Sequence, residues 1–202
     1  METNRNESIS VLKAALRSRI KEIIRAVPLA ERASMSRQAC AQLEHLTVWR
    51  DAGTILFYAP LADEVDIWPL IEAAFAKGKK VALPRFVPVR GAYEANRVAD
   101  LNLDIHAGKF GVREPAAHCP DVPLNQLDLV LVPGVAFAVD GRRLGRGQGF
   151  YDRLLADVRG AKCGMAFEQQ VVLEIPAEPH DQMVDYLVTP MRWVAVGPVA
   201  AK

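Results

Sequence analysis

The run Leu127 to Val132 (LDLVLV) constrains this chain most. A strand with one solvated face alternates apolar and polar residues. This apolar run does not, so it reads as a strand buried on both faces of a parallel sheet. A glycine-rich turn follows, and then a helix from about Phe150 to Val158. In open α/β sheets ligands gather beyond the carboxyl ends of the strands, where such a turn lies.

The rest of the chain fits the same architecture. Leu12, Leu16, Ile20, Ile23 and Val27 recur at helical spacing, so Val11 to Val27 reads as an amphipathic helix closed by Pro28, with residues 1–9 expected as a flexible lead-in. A second helix is expected over Leu29 to Leu46. Thr54 to Tyr58 is a strand stopped by Pro60, Ile67 to Lys77 a helix closed by Gly78, and Lys80 to Leu83 a strand. The stretch Arg85 to Gln126 is rich in Pro, Gly and charge. It is expected to form loops over the site, apart from a strand near Tyr93 to Val98. Lys162 to Phe167, Tyr186 to Thr189 and Trp193 to Val196 complete the sheet. Strands alternating with helices imply a single α/β domain over residues 1–202, with a mostly parallel central sheet flanked by helices.

Charge and cysteine content exclude several classes. The 202 residues carry a formal net charge of +1, so no global field favours nucleic acid or an anionic membrane. No apolar run approaches the length of a membrane span. Cys40, Cys119 and Cys163 are odd in number and widely spaced, which argues against a disulfide framework and for a reducing compartment. The four histidines lack zinc-site spacing.

The segment from Gly141 to Asp152 carries the chemistry. Gly145, Gly147 and Gly149 alternate at the opening of a helix, where a bare backbone lets a ligand approach closely. Successive N–H groups there form an anion cradle, and Arg142, Arg143 and Arg146 add forked donors that suit phosphate oxygens. The alternative is a flexible loop with arginines for solubility. The segment is neither a Walker A loop nor a dinucleotide fingerprint, because Phe150 stands where a third fingerprint glycine would be. Asp152, in the first turn of the helix, either complements the helix dipole or holds Mg²⁺ against phosphates. Glu64 and Asp66 follow the first strand as either ordinary loop acids or acceptors for a ligand's ring edge. Lys13 and Arg17 lie one turn apart on one helix face.

Several ordered blocks resemble 5-formyltetrahydrofolate cyclo-ligases. GRRLGRGQGFYDR at 141–153 is similar to the family's GxRLGxGxGYYDR. KAALR at 13–17, EVD at 64–66, LPR at 83–85, FGVREP at 110–115, LVPGVAF at 131–137 and PAEPHDQMVDYLVT at 176–189 stand in the family's order. The resemblance implies the cyclo-ligase (NagB/RpiA-like) type of α/β domain in a monomeric cytoplasmic enzyme. It implies ATP as co-substrate, Mg²⁺ as cofactor and 5-formyltetrahydrofolate as substrate, with no nucleic-acid or membrane partner. By the same resemblance Lys13, Arg17, Arg143, Leu144, Gly145, Arg146, Gly147, Gln148, Gly149, Phe150 and Tyr151 are ATP contacts. Glu64, Phe110 and Arg146 through Phe150 border the folate, Arg143 and Asp152 are catalytic, and Asp152 and Asp181 hold the metal. Gln148 departs from the family pattern, which often has Gly or Lys there, and Ala138 stands where Asp is frequent.

Overall fold

In the computed structural model, which describes residues 2–108 and 111–196 with side chains from residue 8 onward, Ile55 and Leu56 are chain neighbours that enter different cores. The same alternation sends Leu129 and Leu131 to one core and Val130 and Val132 to the other. It is the period of two of a strand covered on both faces. The helices are α1 (Glu2–Ala26), α2 (Leu29–His45), α3 (Thr47–Asp51), α4 (Trp68–Ala76) and α5 (Phe150–Ala156). The strands are β1 (Thr54–Leu56), β2 (Lys80–Val87), β3 (Ala92–Val98), β4 (Ile105–Ala107), β5 (Arg113–Pro115) and β6 (Leu129–Val132). They continue with β7 (Ala136–Ala138), β8 (Arg143–Leu144), β9 (Ala161–Met165), β10 (Val171–Val172), β11 (Tyr186–Val188) and β12 (Trp193–Ala195).

The main sheet has the order β12-β11-β9-β6-β1-β2-β3. Its five inner strands are parallel, and β3 and β12 close the edges antiparallel. Residues of α1 to α4 fill one core and Leu154 and Leu155 of α5 fill the other. From β1 the chain proceeds to β2 on one side and later to β6 on the other, so the order reverses between β1 and β6. The crevice at the carboxyl ends of those two strands is where such sheets bind ligands.

Two expectations change. The first helix starts at Glu2 rather than Val11. The middle of the chain holds more pairing than loops: β2 runs on to Val87 against β3, and β4 pairs with β5. Pro84 does not interrupt β2. Ala82 O accepts from Phe57 N, so even-numbered residues of β2 turn their backbone toward β1, and Pro84 lies beyond the end of β1. Its missing N–H therefore costs no ladder bond.

A second, three-stranded sheet, β10-β7-β8, sits at the carboxyl end of β6. The ring of Phe137 anchors it in the α5-side core. Any Cβ on Gly164 would stand 2.6 Å from that ring, so the close approach of β7 to β9 requires glycine. No helix among the described residues is long and apolar enough to cross a membrane.

The α1–α4 core centres on Trp49, which is fully buried and edge-on to Phe57 at 6.1 Å between ring centroids. Its indole N–H meets no acceptor among the described residues. Trp49→Ala is expected to cost about 3–5 kcal/mol through lost burial and the cavity left behind. Trp49→Phe is expected to cost clearly less, since the unsatisfied N–H leaves with the indole. Urea unfolding of both variants checks the pair, and equal losses would show that the N–H carries no penalty.

Candidate active site

The hairpin of β7 and β8 sets the floor of the site. Arg143 pairs with Phe137 across it, and only 2% of the Arg143 side chain is exposed. A buried guanidinium needs acceptors. Nη1 donates to Pro133 O at 3.3 Å, and Nη2 donates to Asp152 Oδ1 at 2.6 Å, while Nε has no partner among the described residues. Asp152 is brought there by α5, whose entry is Gly149 at a φ of +64°, in the left-handed region that favours glycine. Asp152 Oδ1 also accepts Gln182 N at 3.3 Å, tying β8, α5 and the segment before β11 to one oxygen.

Helix α1 forms the facing wall. Arg17 Nε donates to Gly145 O at 2.8 Å, and its guanidinium lies under Gly147, where a Cβ would come within 3.5 Å of it. One turn earlier, Lys13 Nζ donates to Glu178 Oε2 at 2.7 Å and Asp181 Oδ2 at 2.6 Å. Asp181 Oδ2 accepts Glu178 N as well, which holds the two acids together. Burial pulls the Lys13 ammonium down, but its bonds to Asp181 and Glu178 outweigh that and hold it above its ordinary value. Burial draws Arg17 below its ordinary value against the charges of Asp181 and Glu178.

Between these walls lies a cavity of about 210 Å³. Lys13, Arg17, Arg143, Leu144, Gly145, Gly147, Gly149, Asp152 and Asp181 all line it, as do Ser10, Glu178 and His180.

Arg146 points elsewhere. Its guanidinium reaches the loop after β1, with Nε donating to Glu64 Oε1 at 3.0 Å and Nη2 pairing with Asp63 Oδ1. Glu64 is only 7% exposed, and its Oε2 accepts Leu61 N at 2.9 Å. Burial pushes the Glu64 carboxyl up, and the Arg146 charge only partly offsets that. For Asp63 the balance is reversed, and its bond to Arg146 holds the carboxyl low.

The remaining predicted residues are spread around these two clusters. Phe150 sits edge-on to Phe86 at 5.4 Å and Tyr93 at 5.3 Å between ring centroids. Tyr151 packs against both cores, and burial raises its hydroxyl well above the ordinary value. Gln148 is exposed, and its carbonyl accepts from Arg153. Arg142, expected among the phosphate donors, instead pairs with Asp140 in the hairpin turn at 3.3 Å. Phe110 lies outside the described residues.

Two participants were missed from the sequence. Asp63 stands beside Glu64, and Glu178 stands three residues before Asp181. Each adjoins a recognised acid, which is the signal that could have found them. His180, at the cavity rim, is 69% exposed and 3.9 Å from Asp181 Oδ1.

The model of the 5-formyltetrahydrofolate cyclo-ligase family matches residues 9–190. The chain is 32% identical over 181 residues to the 5-formyltetrahydrofolate cyclo-ligase of Escherichia coli K12, covering 86% of this chain and 97% of the relative. It is 28% identical over 194 residues to the mouse 5-formyltetrahydrofolate cyclo-ligase, covering 88% and 93%. The NMR structure of Aquifex aeolicus 5,10-methenyltetrahydrofolate synthetase superposes with a TM-score of 0.84 at 31% identity, covering 95% of this chain and 96% of that one. A match over nearly the whole chain, in sequence and in fold, makes this protein a member of the 5-formyltetrahydrofolate cyclo-ligase family of ligases.

Proposed function

We propose that this enzyme closes 5-formyltetrahydrofolate into 5,10-methenyltetrahydrofolate with consumption of Mg²⁺-bound ATP. The observation that carries the reading is the Arg143–Asp152 pair on the floor of a cavity roofed by the glycine loop and walled by Lys13 and Arg17. Fixed positive charge, close-approach backbone and carboxylates converge there, as phosphoryl transfer requires. The cavity falls short of the roughly 300–1,000 Å³ typical of whole-ligand sites. It suits the phosphate end of a nucleotide, with the adenosine lying outside.

The N-formyl group is amide-like and a poor electrophile. Transfer of the γ-phosphoryl group to the formyl oxygen releases ADP and leaves an imidate-like phosphate. Folate N10 then attacks the formyl carbon and gives up its proton, and inorganic phosphate departs with the oxygen as the methenyl bridge forms. In this scheme the loop N–H groups and Arg17 hold the phosphates, and Arg143 meets the charge that develops on the transferring group. Glu64, on the Arg146 side, takes the ring edge of the folate. Carboxylates suit a hard divalent cation. Asp152 Oδ2 accepts no hydrogen bond among the described residues, so Asp152 and Asp181 would hold Mg²⁺, which supplies charge neutralisation to the phosphates.

A near-ultraviolet assay for the methenyl product tests the reading. A rise that needs both ATP and Mg²⁺ is expected, and a folded protein that produces none would overturn it. In the same assay Arg143→Ala is expected to lower kcat by about 10²–10³-fold. Arg143→Lys is expected to remain folded but impaired, because an ammonium cannot bridge Pro133 and Asp152 as the fork does. Wild-type rates in folded Arg143→Ala would remove Arg143 from the chemistry.

Glu64→Gln is expected to weaken folate binding in calorimetry while leaving ATP binding intact. The same variant isolates a pH effect. Because the folded carboxyl of Glu64 is raised, the native state holds its proton to higher pH than the unfolded chain does. The stability of wild type relative to Glu64→Gln is therefore full below the ordinary glutamate range and declines as pH rises through the raised value. Denaturant melts of both proteins from pH 4 to 8 read the difference directly, and a difference that grows with pH would contradict the assignment.

A further inference from the structure

Arg146 stands between two glycines, so the loop backbone by itself cannot hold its guanidinium in place. What holds it comes from the loop after β1, across the switch point of the sheet. Nη2 of Arg146 is shared by Asp63 Oδ1 and Glu64 Oε1, while Nε is committed to Glu64. The two acids are chain neighbours with different surroundings. Glu64 is nearly enclosed, and burial pushes its carboxyl up. Asp63 is 22% exposed and held low by Arg146. A ligand ring edge that donates hydrogen bonds to Glu64 competes with Arg146 for the same carboxylate. Asp63 makes no such conflicting commitment.

We propose that Asp63 is a positioning residue that keeps Arg146, and through it the 145–149 loop, in place when substrate takes Glu64. The proposal rests on the cyclo-ligase reading for the identity of the substrate, though not for the contact itself. Two acceptors on one guanidinium allow the folate end to engage Glu64 without releasing the loop that covers the phosphate end. With Asp63 neutralised, substrate binding at Glu64 strips Arg146 of its last carboxylate, and the loop is loosened at the moment phosphoryl transfer needs it fixed. A displaced catalytic element of this kind costs turnover more than binding.

Asp63→Asn keeps the shape and removes the charge. Its kcat is expected to fall by about 10- to 100-fold. The KM for 5-formyltetrahydrofolate should move by no more than about 3-fold, since Glu64 remains. Asp63→Glu should restore part of kcat. In an Arg146→Ala background, Asp63→Asn should change kcat by less than about 2-fold, because the residue acts only through Arg146. Hydrogen exchange of the 145–149 segment, measured in a Glu64→Gln background where that carboxylate is already withdrawn from Arg146, should be faster with Asp63→Asn added than without it. Full kcat in Asp63→Asn with unchanged exchange on its addition to Glu64→Gln would overturn the proposal, as would a kcat loss that persists undiminished in the Arg146→Ala background. If the wild type forms no methenyl product, the activity reading fails by itself. The exchange comparison then decides alone whether Asp63 holds the loop.

Discussion

Arg143 carries a full charge into a hairpin whose strands are otherwise buried and apolar, and the site is arranged around keeping that charge satisfied. Its fork touches the end of β6 through Pro133 and the first turn of α5 through Asp152. Three elements that differ in sequence position thus share one guanidinium. Taking two charges out of water is expensive, and such a pair is weak evidence of stability. Its value is geometric: the pair fixes where β8 ends, where α5 begins and which way Asp152 faces. The glycine loop between them spans from one fixed point to the other.

The other two charged groups repeat this logic on either side. Lys13 brings α1 to the acids before β11, and Arg146 brings the glycine loop to the acids after β1. Each cation has two carboxylates, so each can surrender one to a ligand and keep the other. The cavity between Lys13 and Arg143 is polar and already organised, which lowers the reorganisation a charged substrate must bring about.

Much of this was legible in the sequence, for physical reasons. The LDLVLV run announced a doubly covered strand because burial on both faces removes alternation, and β6 is that strand. Helix α4 and the strands on either side followed from periodicity and from Gly78 at a φ of +69°. Strands of two or three residues, such as β8 and β10, are too short to carry a period, so that small sheet was invisible. The extension of β2 past Pro84 depended on where β1 stops, which is a tertiary fact. The basic residues of the site were readable as types, but their partners were not. Nothing local says that Arg142 turns to Asp140 while Arg143 turns inward, or that Glu178 and Asp63 receive Lys13 and Arg146.

The contact of Lys13 with Asp181 spans 168 residues. During synthesis the chain emerges from its N-terminus, so α1 is complete long before its acceptors exist. A growing chain holds Lys13 and Arg17 on a helix face with no carboxylates opposite. It also presents β6 with a bare edge until β9 arrives beside it. Contacts so distant along the chain are slow to form because the closure of a long loop precedes any gain. The cavity between α1 and the β7–β8 hairpin is thus among the last features to appear, and a ribosome-bound fragment lacking β9 to β12 has the helix and the glycine loop but no pocket.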